Sequence, residues 1–433
     1  HTGHDPGVRI GSRWWGSGHG LVALGAVALL VQKFGGTSVG DPERIREVAD
    51  HVARCRRRGD DVVLVVSAMG KETDELLRLA TEVSDIRPGR EMDMLITAGE
   101  RKSIALVSMA LAAKGIESES YTGSQAGFLT STSHTNAKIL DVRADRIRAA
   151  VDAGRVPVVA GAQGVSTDND VTFLGRGGSD TTAVALAFAL DADACELYTD
   201  VSGVFTTDPR VVSTARRMHR ITFDEMLEMT AAGCPKPAMR SVEYAHRHKV
   251  PLHVRSAFTW EPGTWVTEED PDMEDALIRA VQADGSEAKV TVTGVPDRPG
   301  VAATLFRTLA DSEVNVDMIV QNVSEGGVTD ISFTVPHSQL DDALAVCEER
   351  AAEVGAAAVV TDRAIAKVSV IGAGMKSNPG VAATMFQVLA DNGINIEMIS
   401  TSAIRISCVI AEADSDRAVQ VLHDAYELES TTF

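Results

Sequence analysis

Short continuous apolar runs alternate with amphipathic stretches over the first part of the chain. The run 29–31 leads to Lys33 and a Gly-Gly turn, the stretch 45–53 repeats apolar residues at helical spacing, and a second apolar run covers 61–66. Asp41 is a good N-cap for the helix between the two runs, and the proline and glutamate after it suit a first turn. This order of strand, glycine turn, helix and buried strand predicts a βαβ unit in a parallel sheet.

The same alternation continues and predicts one large α/β domain at 27–260. Apolar periodicity predicts further helices and strands, namely helices at 92–114 and 181–190 and strands at 156–160, 195–198 and 251–254. The Pro, Gly and acidic residues that follow are typical of a linker, which we place at 261–287. Residues 1–26 are rich in Gly and His without periodicity, and we expect them to form a disordered leader.

The C-terminal part of the chain contains an internal repeat. The sequence PGVAAT at Pro299 recurs at Pro379, and Asn315 recurs as Asn395, in both cases 80 residues later. Each copy reads strand, PG turn, helix and alternating strand, so the pattern predicts two copies of a small domain, at 288–362 and 363–433. Free backbone N–H groups after the PG turn suit a small anionic or zwitterionic ligand, but a simple helix start explains the turn alone equally well.

Net charge and cysteine content limit the binding partners and the cellular compartment that the sequence predicts. The 433 residues carry a net charge of −20, which argues against binding to nucleic acid or to an anionic membrane. Five scattered cysteines without a C-x-x-C pair predict reduced thiols in a cytoplasmic protein. The apolar run 21–31 is too short to span a bilayer and lacks a cleavage site, so we do not interpret it as a signal peptide.

Four glycine-containing turns with polar side chains follow predicted strands of the large domain. Because ligands of open parallel sheets bind beyond the carboxyl ends of the strands, we expect these turns to converge on one crevice. The third turn combines a helix N-terminus near Asp180 with Arg176, whose planar guanidinium suits a carboxylate. Considered one at a time, the third turn is also explained by a tight connection between strand and helix, and Lys33 by an ordinary surface lysine. The four turns are KFGGTS (33–38), SAMG (67–70), LGRGGSD (174–180) and TDVSG (199–203).

These turns, in this order, resemble the motifs of a known family. The motifs KFGGTSV, SAMG, TAGE, TGSQAG, LGRGGSDTTAVALA and YTDVSGVFTTDPR, followed by the repeat, are similar to those of aspartate kinases of the actinobacterial lysine-pathway type. The resemblance covers about 27–428. It implies an amino acid kinase fold, an open and mostly parallel sheet between helices, followed by two α+β ferredoxin-like ACT domains.

The resemblance also implies a role for individual residues. Lys33 would neutralise the transferring phosphoryl group and Asp180 would orient that lysine. Glu100 would hold the α-amino group of L-aspartate and Arg176 its α-carboxylate. The other implied residues are Gly35, Gly36, Ser38, Ser67 and Thr73 for substrate; Thr199, Asp200, Phe205, Arg210 and Lys236 for ATP; and Asp297, Pro299, Asn315, Asp317, Gln321 and Asn395 for lysine and threonine effectors.

The implied chemistry is consistent with the residue types present. The acceptor β-carboxylate is ionised near neutral pH, because its ordinary pKa is about 3.9, so no general base is required. Phosphoryl transfer then depends on in-line positioning and charge neutralisation, with Mg²⁺ bound through the ATP phosphates rather than at a separate metal site of the protein.

The chain departs from the family pattern in three respects. Aligned without a gap, Pro235 stands where the family has an ATP-contacting lysine, and Lys236 follows it; Phe205 replaces a frequent tyrosine. In the first repeat, the loop at 325–328 is about two residues shorter than the pattern. Val301 in the first repeat and Ala403 in the second stand where an acidic residue is common. We therefore predict altered or weakened feedback inhibition.

The resemblance implies an ATP:L-aspartate phosphotransferase that forms 4-phospho-L-aspartate, the first step towards lysine, threonine and methionine. Two alternatives remain open: a weakly active or non-catalytic ACT-containing paralogue, and a kinase of a related carboxylate. The expected partners are L-aspartate and the two effectors, with no nucleic acid and no membrane. ACT repeats commonly pair across chains, so we expect a homodimer or an α2β2 assembly.

Overall fold

The structure is a computed structural model that describes residues 28–268, 278–321, 326–373, 375, 378 and 380–430. The predicted leader at 1–26, the stretch 322–325, which includes the first residue of the shortened loop at 325–328, and Pro379 lie outside the described residues. Within the described part of the chain, no helix is both long and apolar enough to cross a membrane.

The large domain contains parallel strands joined by helices. Its described strands are β1 (Leu29–Phe34), β2 (Asp61–Val66), β3 (Ser118–Tyr121), β4 (Phe128–Thr130), β5 (Ile139–Val142), β6 (Val156–Ala160), β7 (Gln163–Ser166), β8 (Val171–Phe173), β9 (Ala194–Thr199), β10 (Arg220–Thr222), β11 (Leu252–Ser256) and β12 (Thr264–Thr267). Its described helices are α1 (Pro42–Arg58), α2 (Glu72–Val83), α3 (Gly89–Ile96), α4 (Ala98–Ala112), α5 (Asp145–Asp152), α6 (Gly178–Ala189), α7 (Phe223–Ala231) and α8 (Met239–His248). A 3-10 turn, Gly36–Val39, follows β1.

Strand β1 lies at the centre of the main sheet. Among the described residues, eight strands form this sheet in the order β10-β12-β11-β9-β1-β2-β6-β3. Strand β1 pairs in parallel with both β2 and β9, so their carboxyl ends lie at the same edge. The predicted βαβ unit is confirmed: the Asp41 side chain accepts hydrogen bonds from the N–H groups of Glu43 and Arg44 at the start of α1, at 2.8 and 2.9 Å.

The period-2 alternation of β1 determines which side chains face which helix layer. Val31 packs in the hydrophobic cluster that contains α6, whereas Phe34 packs in the cluster that contains α1 and α4. Lys33 shares the face of Val31 and therefore points towards α6. On the opposite face, the Gln32 side chain donates to the buried carboxylate of Glu196 at 2.8 Å.

The C-terminal repeats each form a small sheet covered by helices. Their described strands are β13 (Ala280–Asp284), β14 (Glu287–Pro296), β15 (Ile319–Gln321), β16 (Val328–Pro336), β17 (Ala358–Asp362), β18 (Ile365–Ile371), β19 (Met398–Thr401) and β20 (Arg405–Ala411), and their described helices are α9 (Val301–Asp311), α10 (Leu340–Val354), α11 (Gly380–Asp391) and α12 (Ser415–Ala425). The described strands form antiparallel sheets in the orders β15-β16-β14-β17 and β13-β18-β20-β19.

The segment 261–287, predicted as a linker, is largely structured where it is described. Strand β12 joins the main sheet beside β11, and β13 joins the sheet of the second repeat beside β18. The Pro, Gly and acidic content of this segment suggested a loop, but β12 forms an antiparallel pair with the preceding strand β11, and β13 pairs with β18, which lies about 90 residues later in the sequence. The second repeat therefore begins its sheet with a strand that precedes the first repeat.

Two ion pairs link the repeats in a reciprocal arrangement. Lys367 of β18 pairs with Asp317 of the first repeat, and Lys289 of β14 pairs with Glu397 of the second. Lys289 and Lys367 stand at matching places in the two repeats, as do Asp317 and Glu397. Lys367 is also 3.0 Å from Glu287 and is almost fully buried. Asp317, which the resemblance placed among effector ligands, thus already has a buried cation as partner.

The second repeat also contacts the loop that follows β9. Val212 of this loop is buried in the hydrophobic cluster of the second repeat. The Thr206 hydroxyl lies 3.0 Å from His423 Nε2 of α12, and the Thr206 carbonyl accepts the N–H of Val281 at 2.8 Å. The loop between β9 and β10 is therefore held jointly by the large domain and the second repeat.

Candidate active site

The first two glycine turns pack directly against each other at the carboxyl ends of β1 and β2. Gly70 N–H donates to the Gly36 carbonyl at 2.9 Å. A Cβ on Gly36 would lie 2.9 Å from the carbonyl oxygens of both Ala68 and Gly70, so a side chain there would force the two backbones apart. Ser38 is fully buried, and its hydroxyl has no hydrogen-bond partner among the described residues.

The third turn comes from a different sheet than the sequence suggested. It follows β8, which belongs to a small sheet of order β5-β4-β7-β8, rather than a strand of the main sheet. Gly177, in the left-handed region at φ 71°, leads into α6, whose start has no side-chain cap. The turn nevertheless reaches the crevice, because α6 packs on the face of the main sheet towards which Lys33 points.

Lys33 and Asp180 form a buried ion pair between β1 and α6. Lys33 Nζ lies 2.6 Å from Asp180 Oδ1, with 7% and 3% of the two side chains exposed. The second carboxylate oxygen accepts the N–H of Ala238 at 3.2 Å. Burial alone would raise the pKa of Asp180, but the charges of Lys33 and Lys236 outweigh it and hold that pKa below its ordinary value.

Glu100 supplies a second buried carboxylate in the first turn of α4. Only 3% of the residue is exposed, and its Oε2 has no hydrogen-bond partner among the described residues. Burial raises its pKa from an ordinary 4.5 to about 7; hydrogen bonds from the N–H groups of Glu100 and Ala68 oppose the rise, and the charge of Glu72 adds to it. A buried carboxylate with an unpartnered oxygen is suited to a cationic ligand.

The other residues implied for substrate lie around this crevice with more solvent contact. Ser67 and Thr73 are half-buried, and Gly35 is held by its N–H bond to the Tyr198 carbonyl at 3.3 Å. Arg176 is exposed at the tip of the third turn.

The residues implied for ATP lie on the β9 side of the crevice. The Thr199 hydroxyl, at the end of β9, donates to Asp200 Oδ1 at 2.9 Å. Phe205 is half-buried and forms an isolated bridge with Arg217. Arg210 is exposed and pairs with Asp208 at 2.6 Å.

The residues implied for effectors lie in the two repeats, outside this crevice, and are exposed. They are Asp297, Pro299, Asn315, Asp317 and Gln321 in the first repeat and Asn395 in the second.

Comparison with known proteins identifies the family. The model of the Amino acid kinase family matches residues 28–256, and that of the ACT domain matches 290–350 and 368–426. An aspartokinase of Mycolicibacterium smegmatis is 54% identical over 407 residues, which are 93% of this chain and 97% of the relative. The chain belongs to the aspartokinase family.

Solved structures of the family share the fold. Aspartokinase III of E. coli in complex with aspartate and ADP, in the R-state, has a TM-score of 0.80 at 25% identity, covering 92% of this chain and 99% of that one. The same enzyme in complex with lysine and aspartate, in the T-state, has a TM-score of 0.71 at 25% identity and the same coverage. The predicted family and the predicted fold, an α/β kinase domain followed by two ACT domains, are therefore confirmed.

Sequence reasoning missed two groups beside the crevice of this aspartokinase. The Ala238 N–H binds Asp180, and a backbone amide carries no signal in the sequence. Arg240 binds backbone carbonyls next to the third turn. Arg240 could have been noticed from its position, because it lies in the first turn of α8 and a cation there interacts unfavourably with the helix dipole.

Because the folded protein holds a proton on Glu100 up to about pH 7, the contribution of this group to stability should fall as pH rises from about 4.5 to 7. At Glu100 the folded state binds more protons than the unfolded state in this window, so the group lowers the free energy of unfolding with rising pH, by at most about 3.5 kcal/mol. Glu100→Gln should remove this contribution, so the slope of the free energy of unfolding against pH should become more positive than in the unmodified chain, measured by urea unfolding of the ligand-free protein between pH 5 and 8. Glu75→Gln, an exposed change on α2, should leave the contribution in place. An unchanged slope in Glu100→Gln would contradict the assignment.

Proposed function

We propose that this aspartokinase transfers the γ-phosphoryl group of ATP to the β-carboxylate of L-aspartate and forms 4-phospho-L-aspartate. The observation that carries the proposal is the buried Lys33–Asp180 pair, with Lys33 Nζ 2.6 Å from the carboxylate, where the glycine turns meet. A buried cation held by one carboxylate can still approach phosphoryl oxygens from its remaining N–H groups. Asp180 orients Lys33, and Lys33 neutralises the charge of the group in transfer.

Recognition of aspartate requires partners for both α-groups. Glu100, buried and with a free oxygen, accepts the α-ammonium, and Arg176 at the tip of the third turn binds the α-carboxylate. The backbones of Gly35 and Gly36, with Ser38, Ser67 and Thr73, line the space between the phosphoryl group and the acceptor. The unpartnered hydroxyl of Ser38 supports this arrangement, since a buried hydroxyl normally has a partner.

The nucleotide lies on the β9 side of the crevice in this proposal. Thr199, Asp200 and Phe205 contact the nucleoside, and Arg210 and Lys236 contact the phosphates. Lys236 lies two residues before Ala238, whose N–H binds Asp180, and this supports a phosphate contact by Lys236 in place of the lysine that Pro235 replaces. Arg210 is exposed, so its pair with Asp208 can be exchanged for phosphate at little cost.

Mg²⁺ supplies charge neutralisation to the phosphate oxygens when the nucleotide is bound. Within the described residues, no group of three or more His, Cys, Asp or Glu side chains is placed to hold a metal ion. We therefore expect the phosphates, rather than a protein cage, to supply most of its ligands, which is the usual way in which Mg²⁺ binds at phosphoryl-transfer sites.

The two ACT domains are proposed to bind lysine and threonine and to pair across chains in a homodimer or an α2β2 assembly. Asp297 and Pro299 at the first PG turn, with Asn315, Asp317, Gln321 and Asn395, are the residues proposed to hold effectors. Asp317 is available only if its pair with Lys367 opens.

Trapping the acyl phosphate with hydroxylamine tests the reaction and its acceptor. L-aspartate should give a hydroxamate, whereas succinate, which lacks the amino group, and 3-aminopropanoate, which lacks the α-carboxylate, should give little. Lys33→Ala should lower turnover by about 100-fold or more while ATP affinity changes far less, because the lysine acts on the charge that develops in transfer. Lys114→Ala, which removes an exposed lysine just after the end of α4, is the matched control. No hydroxamate from any acceptor would refute the proposal, and loss of ATP binding with turnover retained would refute the role of Lys33.

Feedback inhibition should be weak in this chain. Val301, at the start of α9, and the exposed Ala403 place apolar side chains where a carboxylate would bind an effector ammonium. Lysine plus threonine at saturation should therefore reduce the initial rate by less than about 10-fold. Val301→Glu should strengthen the inhibition, because it supplies a carboxylate at a helix start where the dipole also favours it. Strong concerted inhibition of the unmodified chain would contradict this expectation.

A further inference from the structure

Arg240 bridges two backbone carbonyls beside the third turn. Its Nη1 donates to the Leu174 carbonyl at 2.8 Å and its Nη2 to the Ala137 carbonyl at 2.7 Å. Leu174 is the first residue of the turn that carries Arg176. Ala137 belongs to the loop between β4 and β5, and its own N–H donates to the Phe173 carbonyl at 2.9 Å. One planar guanidinium thus joins the base of the turn to a neighbouring loop.

The start of α8 holds the same turn at its other end. The Ala238 N–H donates to Asp180 Oδ2 at 3.2 Å, and a Cβ on Gly177 would come within 2.5 Å of the Ala238 Cβ. Residues 238 and 240 therefore contact the turn after and before Arg176 respectively. Arg176 itself is exposed, so the position of its guanidinium depends on how the backbone of the turn is held.

The position of Arg240 is difficult to explain by local stability. A cation in the first turn of a helix opposes the dipole, and burial lowers the pKa of this half-buried guanidinium, an effect that the charge of Glu243 only partly opposes. Glutamine or leucine would suit the helix better. The two carbonyl bonds are what the arginine provides, because its fork reaches both acceptors with fixed geometry.

We propose that Arg240 is a positioning residue for aspartate binding, which acts by fixing the turn that presents Arg176 to the substrate α-carboxylate. The inference rests on the proposed function, in which Arg176 contacts that carboxylate. In this proposal Arg240 contributes to specificity. The distance between Arg176 and Glu100, the two groups that recognise an amino acid, depends on the position of the turn that Arg240 holds.

Steady-state kinetics of Arg240→Gln test the inference. The KM for L-aspartate should rise by about 10-fold, since charge-assisted hydrogen bonds contribute about 1.5–3 kcal/mol and 1.4 kcal/mol corresponds to tenfold. The KM for ATP should stay within about twofold, because the nucleotide residues lie on the β9 side. Arg240→Lys, which can reach one carbonyl at a time, should give an intermediate rise. Arg247→Gln, an exposed arginine of the same helix, should leave both values unchanged.

A double variant with Arg176→Ala separates positioning from general destabilisation. If Arg240 acts through Arg176, adding Arg240→Gln to Arg176→Ala should not raise the KM for aspartate further. Multiplicative effects, or an equal rise in the KM for ATP, would overturn the inference alone. An unchanged KM for aspartate in Arg176→Ala by itself would instead refute the proposed role of Arg176, and the inference with it.

Discussion

A buried ion pair between Lys33 and Asp180 is the constraint on which the arrangement of the crevice depends. Two charges removed from water are tolerable only at close contact, because each alone would be costly to bury. The pair therefore fixes α6 against the central strand β1, and the turn that leads into α6 is carried to the carboxyl edge of the sheet although it comes from a different sheet. The first two glycine turns also lie in close contact at Gly36, where there is no room for a side chain.

The same crevice has a direct mechanical connection to the regulatory part of the chain. The loop after β9, which carries Phe205 and Arg210, places Val212 in the core of the second ACT domain and binds His423 through Thr206. A shift of that domain would therefore act on the loop that carries residues proposed to contact ATP, since packed cores do not deform continuously. The reciprocal ion pairs between the ACT domains join the first domain to the second.

The sequence allowed prediction of whatever depends on local pattern or on specific motifs. The βαβ unit, the capped helix after Asp41, the duplicated domain and the place of Lys33 all follow from periodicity or from turns with defined residues. Apart from the pair of Lys33 and Asp180, which the family resemblance implied, contacts between distant segments could not be predicted. Strand β13 pairs with β18, which no local pattern identifies as its partner. Lys367 reaches Asp317 only because the repeats face each other, and Arg240 binds carbonyls whose position depends on the folded loop.

The central claim is that Asp180 serves catalysis by orienting Lys33, and a double-variant cycle on turnover tests it most directly. Turnover should be measured with saturating ATP and aspartate for Lys33→Ala, Asp180→Asn and the combination of the two, with circular dichroism to establish that each variant is folded. The account predicts that each single change lowers turnover by about 100-fold or more and that the double variant is no slower than the slower single variant. Multiplied losses in the double variant would contradict it, because the two residues would then act independently.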